Sequence, residues 1–275
     1  MITLAEVSKY QGICFERGED YVYATPHVLL RPFIQHYAVT FPIRIPNEYT
    51  VLPSASSTMI FLVEKNDNIY GGLSAVDTKA SIVGNIANQA KLLLLIKFRS
   101  GGLYPFLRAE QSELRDQYLP LYDINPSLTE SIEHALVCAN SLDALFAELN
   151  RIFLSKYQEY DVMLKISYMK NQIISKNGNI SMKELASNFF YSEKHIRRLF
   201  LNYVGTSPKS FSRIIRVNYA LNLMKNPQTS LTEIAMKSGY FDQAHFDNDL
   251  KLICNITPKD YINNMSVFYK DDFHQ

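Results

Sequence analysis

Residues 181–211 read SMKELASNFFYSEKHIRRLFLNYVGTSPKSF, and residues 230–261 read SLTEIAMKSGYFDQAHFDNDLKLICNITPKDY. The two stretches are one pattern written twice. Ser181-Met182-Lys183-Glu184-Leu185-Ala186 matches Ser230-Leu231-Thr232-Glu233-Ile234-Ala235 at an offset of 49 residues. Each is an S-x-x-E capping box, in which a serine hydroxyl and a glutamate carboxylate satisfy backbone N–H groups left over at a helix start. Further on, Gly205-Thr206-Ser207-Pro208-Lys209-Ser210-Phe211 matches Asn255-Ile256-Thr257-Pro258-Lys259-Asp260-Tyr261 at an offset of 50. Ser207 and Thr257 serve there as N-caps, and proline takes the first helical position, where its missing N–H costs nothing. The second copy therefore holds one extra residue, placed in the turn around Ser238-Gly239-Tyr240.

Between these landmarks each copy encodes a short helix, a turn and a second helix, the arrangement of a helix-turn-helix. Ser192 caps the second helix of the first copy over 193–203, and Asp242 caps its counterpart over 243–253. Ile196, Leu199, Phe200 and Tyr203 fall on one face at helical spacing, which turns Lys194, Arg197, Arg198 and Asn202 outward. In the second copy Phe246, Leu250 and Ile253 form the buried stripe, leaving Gln243, Ala244, Asp247, Asn248 and Lys251 outside. A long amphipathic helix over about 209–225 joins the copies through Phe211, Ile214, Ile215, Ala220, Leu221 and Met224, a rigid spacer that fixes the separation of the two outward faces.

Two helical hairpins on a spacer could be only a scaffold. Charge argues for nucleic acid. The whole chain of 275 residues is at +1, but residues 161–225 carry 11 Lys+Arg against 3 Asp+Glu, or +8, whereas residues 226–275 carry 4 against 7, or −3. Phosphate attraction is therefore expected mainly from the first copy.

The first hundred residues read as strands. YVYAT (21–25), HYAVTF (36–41), TMIFLVE (58–64) and KLLLLIKF (91–98) are aromatic or β-branched runs bounded by Pro, Gly and Asn, and Asn66-Asp67-Asn68 marks a hairpin turn. From Pro126 the spacing becomes helical through Ile132, Leu136, Leu142, Leu145, Phe146, Leu149, Ile152 and Phe153, a helical pair closing a mostly β unit. Another helix over 162–175 presents Leu164, Ile166, Met169, Ile173 and Ile174 and stops at Lys176-Asn177-Gly178. The fold class expected is α+β: residues 1–158 a mostly β regulatory, effector-sensing or dimerisation domain closed by helices, and residues 159–275 an all-α DNA-binding domain. Within the latter, the first motif covers about 181–203, the joining helix about 208–225 and the second motif about 230–253.

Little suggests other chemistry. Cys14, Cys138 and Cys254 lie more than a hundred residues apart, form neither a disulfide frame nor a zinc pattern, and read as buried small hydrophobes in a reducing cytoplasm. His27, His36 and His134 share no H-x-H or HExxH spacing and are expected to be structural rather than metal ligands. Gly101-Gly102 lacks the rest of a phosphate-loop pattern and reads as a tight turn. Tyr21, Tyr23, Phe33, Tyr37, Phe41 and Phe61 could line a pocket but are expected mostly in the core. The apolar run Leu92 to Ile96 is too short to span a bilayer, and the N-terminus has no signal-peptide pattern. No cofactor, metal or membrane partner is expected.

ELASNFFYSEKHIRRLFLNYVGTSPKSFSRIIRVNYALNLM followed by EIAMKSGYFDQAHFDNDLKLICNITPKDYI resembles the signature of the AraC/XylS family of transcriptional regulators over about residues 165–265. The resemblance implies one chain setting two recognition helices into successive major grooves, about 34 Å apart in B-DNA. By position it implies base contacts from Lys194, Arg197 and Arg198 in the first motif and Gln243, Ala244, His245 and Asn248 in the second, with Arg216 of the joining helix supporting the fold or a phosphate. The outward-facing Asn202 is a further DNA-binding candidate, as is His195, which reads more readily as a packing or capping residue of its motif, while His245 is open to either role. It also implies a cytoplasmic activator, not an enzyme, with double-stranded DNA and RNA polymerase as partners and a homodimer as a possible state. The order Val51-Leu52-Pro53, Met59-Ile60-Phe61, then 97–107 and Leu119-Pro120-Leu121 is similar to an uncharacterised sensor-type domain found ahead of such motifs, which implies a small-molecule effector of no specified kind.

The second motif departs from the pattern. Where the family has an arginine and an aromatic near its end, this chain has His245-Phe246-Asp247-Asn248-Asp249-Leu250-Lys251, and Asn255 replaces a glycine. Asp247 on a DNA face repels phosphate, and Asn248 can pair with adenine but cannot make the charged bidentate contact that arginine gives guanine. The expectation is a dominant first reader and a weaker second. One rival is a regulator acting through protein contact, with a degenerate second motif. The other is an alkyl-transfer repair enzyme carrying such a module, which would need four clustered cysteines.

Overall fold

A computed structural model describes residues 2–42, 46–47 and 49–263. The chain begins with α1 (Leu4–Ser8) and strands β1 (Glu16–Arg17), β2 (Tyr21–Ala24), β3 (Ile34–Thr40), β4 (Thr50–Val51), β5 (Thr58–Glu64), β6 (Ile69–Ser74) and β7 (Ser81–Ile82). It continues through one turn of helix, α2 (Gly84–Ala87), the long strand β8 (Ala90–Phe98), the short helices α3 (Tyr104–Leu107) and α4 (Gln111–Leu114), β9 (Tyr118–Pro120) and α5 (Leu121–Ile124). Helices α6 (Pro126–Cys138) and α7 (Leu142–Lys156) close this part. Seven strands form an antiparallel sheet in the order β1-β2-β3-β8-β5-β6-β9, and β4 pairs with β7 in a small second sheet. The four strand runs legible in the sequence are β2, β3, β5 and β8, with β5 spanning the same residues. The two- and three-residue strands carry no period-2 signal from which they could have been read.

Alternation decides what the large sheet buries. Met59, Phe61 and Val63 of β5 and Leu92, Leu94, Ile96 and Phe98 of β8 face α6 and α7, which contribute Leu128, Ile132, Leu136, Leu145, Leu149 and Phe153 to the same core. The opposite face holds the half-buried Ile60, Leu62 and Leu95 beside Ala87 of α2. The expected hairpin joins β5 to β6, with Asp67 at φ 66° in the left-handed conformation that aspartate tolerates. Tyr37, Phe41 and Phe61 are buried as expected, while Tyr21, Tyr23 and Phe33 are half-buried. His36 is buried and stacked on Tyr23, and burial first, then Lys97 and Arg99, hold its pKa down near about 3, so its ring stays neutral.

The rest is helical: α8 (Asp161–Ser175), α9 (Met182–Phe189), α10 (Glu193–Val204), α11 (Pro208–Leu223), α12 (Leu231–Lys237), α13 (Gln243–Cys254) and α14 (Pro258–Asn263). Their apolar stripes, including Ile166, Met169, Ile173, Ile196, Phe200, Phe211, Ile214, Leu221, Phe246 and Leu250, make a second core. The cysteine expectation needs correcting: Cys254 is buried, but Cys14 is half-buried and Cys138 is exposed, because Cys138 ends α6 on its solvent side. Burial pushes the Cys254 thiol up to about 12, far from thiolate reactivity.

The two cores meet along a polar seam. Leu52 and Ala55, from the loop before β5, belong to the helical core, and Asn218 Nδ2 of α11 donates to the Pro53 carbonyl at 2.9 Å. The Lys170 ammonium of α8 donates to the carbonyl of Ser100, and Ala80 N–H donates to the Ile253 carbonyl at 3.1 Å. Tyr104 meets Tyr203 edge to face with ring centres 4.6 Å apart. Gly205 ends α10 at φ 84°, and a Cβ there would lie 2.7 Å from Val76 Cγ2 and 2.8 Å from the Gln111 carbonyl, so both conformation and close approach require glycine.

Candidate nucleic-acid interface

The two helical hairpins are built alike. Ser181 Oγ accepts from Glu184 N–H at 3.0 Å at the start of α9, and Ser230 Oγ accepts from Glu233 N–H at 3.2 Å at the start of α12. Only this half of each expected capping box forms. The glutamates turn instead to lysines, Glu184 to Lys176 and Glu233 to Lys237 at 2.7 Å, where an ammonium outcompetes a neutral backbone donor for the carboxylate. The reciprocal box forms at α14, where Asp260 Oδ2 accepts from Thr257 N–H at 2.9 Å and Thr257 Oγ1 accepts from Asp260 N–H at 3.2 Å.

Both second helices of the hairpins start on a side-chain cap, Ser192 Oγ accepting from His195 N–H at 3.2 Å and Asp242 Oδ1 from His245 N–H at 2.7 Å. The one-residue difference between the copies is the net of a turn two residues longer in the second, 238–242 against 190–192, and a helix α12 one residue shorter than α9. Ile196, Phe200 and Val204 bury one face of α10; Phe246, Leu250, Ile253 and Cys254 bury that of α13.

On the opposite faces, Lys194, Arg197 and Arg198 of α10 and Ala244, His245 and Asn248 of α13 are exposed, while His195, Asn202 and Gln243 are half-buried. His195 leans on Tyr191 with ring centres 4.5 Å apart and lies 3.2 Å from Arg198 Nη2 through Nδ1; His245 meets Tyr240 edge to face at 5.1 Å. The structure sets Arg216 apart from these residues. Its Nη2 donates to the Gly178 carbonyl at 3.1 Å and its guanidinium lies 5.3 Å from the Tyr240 ring centre, tying α11 to the turn between α8 and α9 and to the turn of the second hairpin.

The acidic residues of α13 are placed otherwise than their sequence order suggests. Asp249 is buried and takes Arg213 of α11 in a two-point pair, Nη2 to Oδ1 at 2.6 Å and Nε to Oδ2 at 3.3 Å. Asp247 is half-buried, with an enclosed Oδ1. Sequence reasoning missed the Arg213–Asp249 pair. Each is a charged residue beside a buried apolar one, Ile214 and Leu250, but nothing local links two positions 36 apart. Among the described residues, no three His, Cys, Asp or Glu side chains cluster so as to hold a metal ion, and no helix is long and apolar enough to cross a membrane.

The family described as a helix-turn-helix domain matches residues 185–264. The chain therefore carries a helix-turn-helix domain at this position. An uncharacterised HTH-type transcriptional regulator, YidL, of Escherichia coli strain K12 is 33% identical over 84 residues, which are 30% of this chain and 28% of that protein. The lactose operon transcription activator of Staphylococcus xylosus is 25% identical over 89 residues, 32% of each chain. The chain thus spans about a third or less of the length of these relatives. A crystal structure of ToxT from Vibrio cholerae O395 aligns with 80% of this chain and 94% of its own at 14% identity and a TM-score of 0.41.

Proposed function

We propose that the chain is a sequence-specific, DNA-binding regulator of transcription in which residues 159–275 read DNA and residues 1–158 control that reading, the division falling in the short connection between α7 and α8. The observation that carries the proposal is the pair of capped helices, α10 and α13, each burying one stripe and leaving the other face to solvent on either side of a packed spacer helix. Lys194, Arg197 and Arg198 supply charge and bidentate donors on the first; Gln243, Ala244, His245 and Asn248 offer mostly neutral contacts on the second. Asn202 and His195 flank the first set, and Arg216 acts by holding the spacer. The two helices read successive major grooves, and the first motif supplies most of the affinity.

Activation is the sign of regulation we infer, supported by the name of the matched lactose operon activator, with RNA polymerase as the second partner. A small-molecule effector or self-association would act through the β-rich part. Substitution Arg198→Ala is expected to weaken binding to a selected operator by about 1–3 kcal/mol and relax preference at one position. Affinity should also fall steeply with salt through counterion release. A mobility-shift titration that shows neither effect rejects the DNA-reading assignment and favours regulation through protein contact.

A further inference from the structure

The turn that precedes each outward helix has the same hydrogen bonds in both copies. Tyr191 N–H donates to the Ala186 carbonyl at 3.1 Å as Tyr240 N–H donates to that of Ala235 at 2.9 Å, and Phe190 N–H reaches Ser187 as Gly239 N–H reaches Met236. The residue that turns left-handed differs. In the second copy it is Gly239 at φ 78°, in the first Phe190 at φ 55°. Glycine adopts this conformation freely, whereas a side chain there is strained. Phe190 gains nothing from the surrounding protein in return, since its ring is 95% exposed. The second copy, spared this strain, nevertheless presents its own phenylalanine at nearly the same place: Phe241, next to the cap Asp242, is 90% exposed.

Each ring stands at the N-terminal end of its outward helix, the end that a helix-turn-helix inserts into the major groove. Phosphate-attracting Lys194, Arg197 and Arg198 follow within the first two turns of α10. The apolar surface a duplex offers there consists of deoxyribose edges and thymine methyl groups. We propose that Phe190 and Phe241 are DNA-contacting residues that pack on this sugar and methyl surface beside each groove. The proposal rests on the DNA-reading function above and adds to it an apolar contact common to both motifs, through which the weakly charged second motif gains affinity without arginine.

The test uses the full chain with an operator selected from random duplexes. Phe190→Gly relieves the strained backbone, so this variant should melt at the wild-type temperature or above it, yet bind the operator about tenfold more weakly, a loss of about 1.4 kcal/mol. Phe241→Ala should bind several-fold more weakly with unchanged melting. Deoxyuridine in place of each thymine separates the two surfaces: a matching loss assigns the methyl group, and loss only in the protein variants assigns the sugar. Both of these outcomes support the contact. Wild-type affinity in Phe190→Gly and Phe241→Ala overturns it while leaving the DNA-reading function intact. A wild-type chain that selects no duplex removes the contact together with the function on which it rests.

Discussion

Lys170 lies inside the seam between the two cores, with its ammonium donating to the Ser100 carbonyl. Burial first, and Arg99 second, push its pKa down from 10.5 to about 8. Below that value both the folded and the unfolded chain carry the proton, and the fold bears a constant cost for the desolvated charge. Between about pH 8 and 10.5 the unfolded chain binds the proton and the folded one has released it, so stability rises with pH; above this window both are neutral and the cost is gone. A depression of this size corresponds to about 3 kcal/mol. Lys170→Met keeps a similar volume while removing the charge. Urea unfolding of both proteins at about pH 7.5, 9 and 10.5 should show the wild type gaining about 3 kcal/mol on the variant, because groups common to both cancel in the difference. Parallel pH profiles would refute the assignment of a buried, charge-bearing lysine to the seam.

Two further substitutions test the helical core. Asp249→Ala strands the Arg213 guanidinium, and because Arg213 keeps 31% of its side chain exposed the expected cost is about 2 kcal/mol, below that for a fully enclosed pair. Hydrogen exchange should then quicken in α13 well before α10; equal protection of both helices in the variant would show that the pair does not anchor α13. Phe200→Ala empties a fully buried site between α10 and α11 and should cost about 3–5 kcal/mol in chemical denaturation, whereas a loss under about 1 kcal/mol would contradict the packing described.

What could be read from the sequence is what depends on near neighbours along the chain. Ser192 and Asp242 declare their helices within three residues, and Ile196 with Phe200 declares a buried face within four, so both outward faces were legible. The cross-links were not. Arg213 and Asp249 are 36 residues apart, Lys170 and Ser100 70, Asn218 and Pro53 165, and no local period encodes a partner at such separations. Lys170 was visible as a charge among Ile166, Met169 and Ile173, yet its acceptor is a backbone carbonyl, which has no sequence signature. Cys138 was misjudged for a related reason: residue type gives a preference for burial, whereas the rotation of α6 against the sheet decides the outcome.

The placement of the acidic residues changes how unequal the two proposed readers are. From sequence alone, Asp247 weighs against phosphate at the second motif, and Asp249 adds to the net negative charge of residues 226–275. Folded, Asp249 is neutralised by Arg213 and joins α13 to the spacer. That pair contributes rigidity, and rigidity matters most for the weaker reader: once α10 engages a groove, the affinity added by α13 depends on its being held at the right distance, an intramolecular effective concentration rather than a sum of contacts. The seam supplies a second restraint in the same direction, since Gly205, Asn218 and Ile253 tie the first reader, the spacer and the second reader to one β-rich body. A second motif poor in arginine is therefore consistent with two-groove reading, provided that Arg213–Asp249 and the seam keep α13 in register with α10.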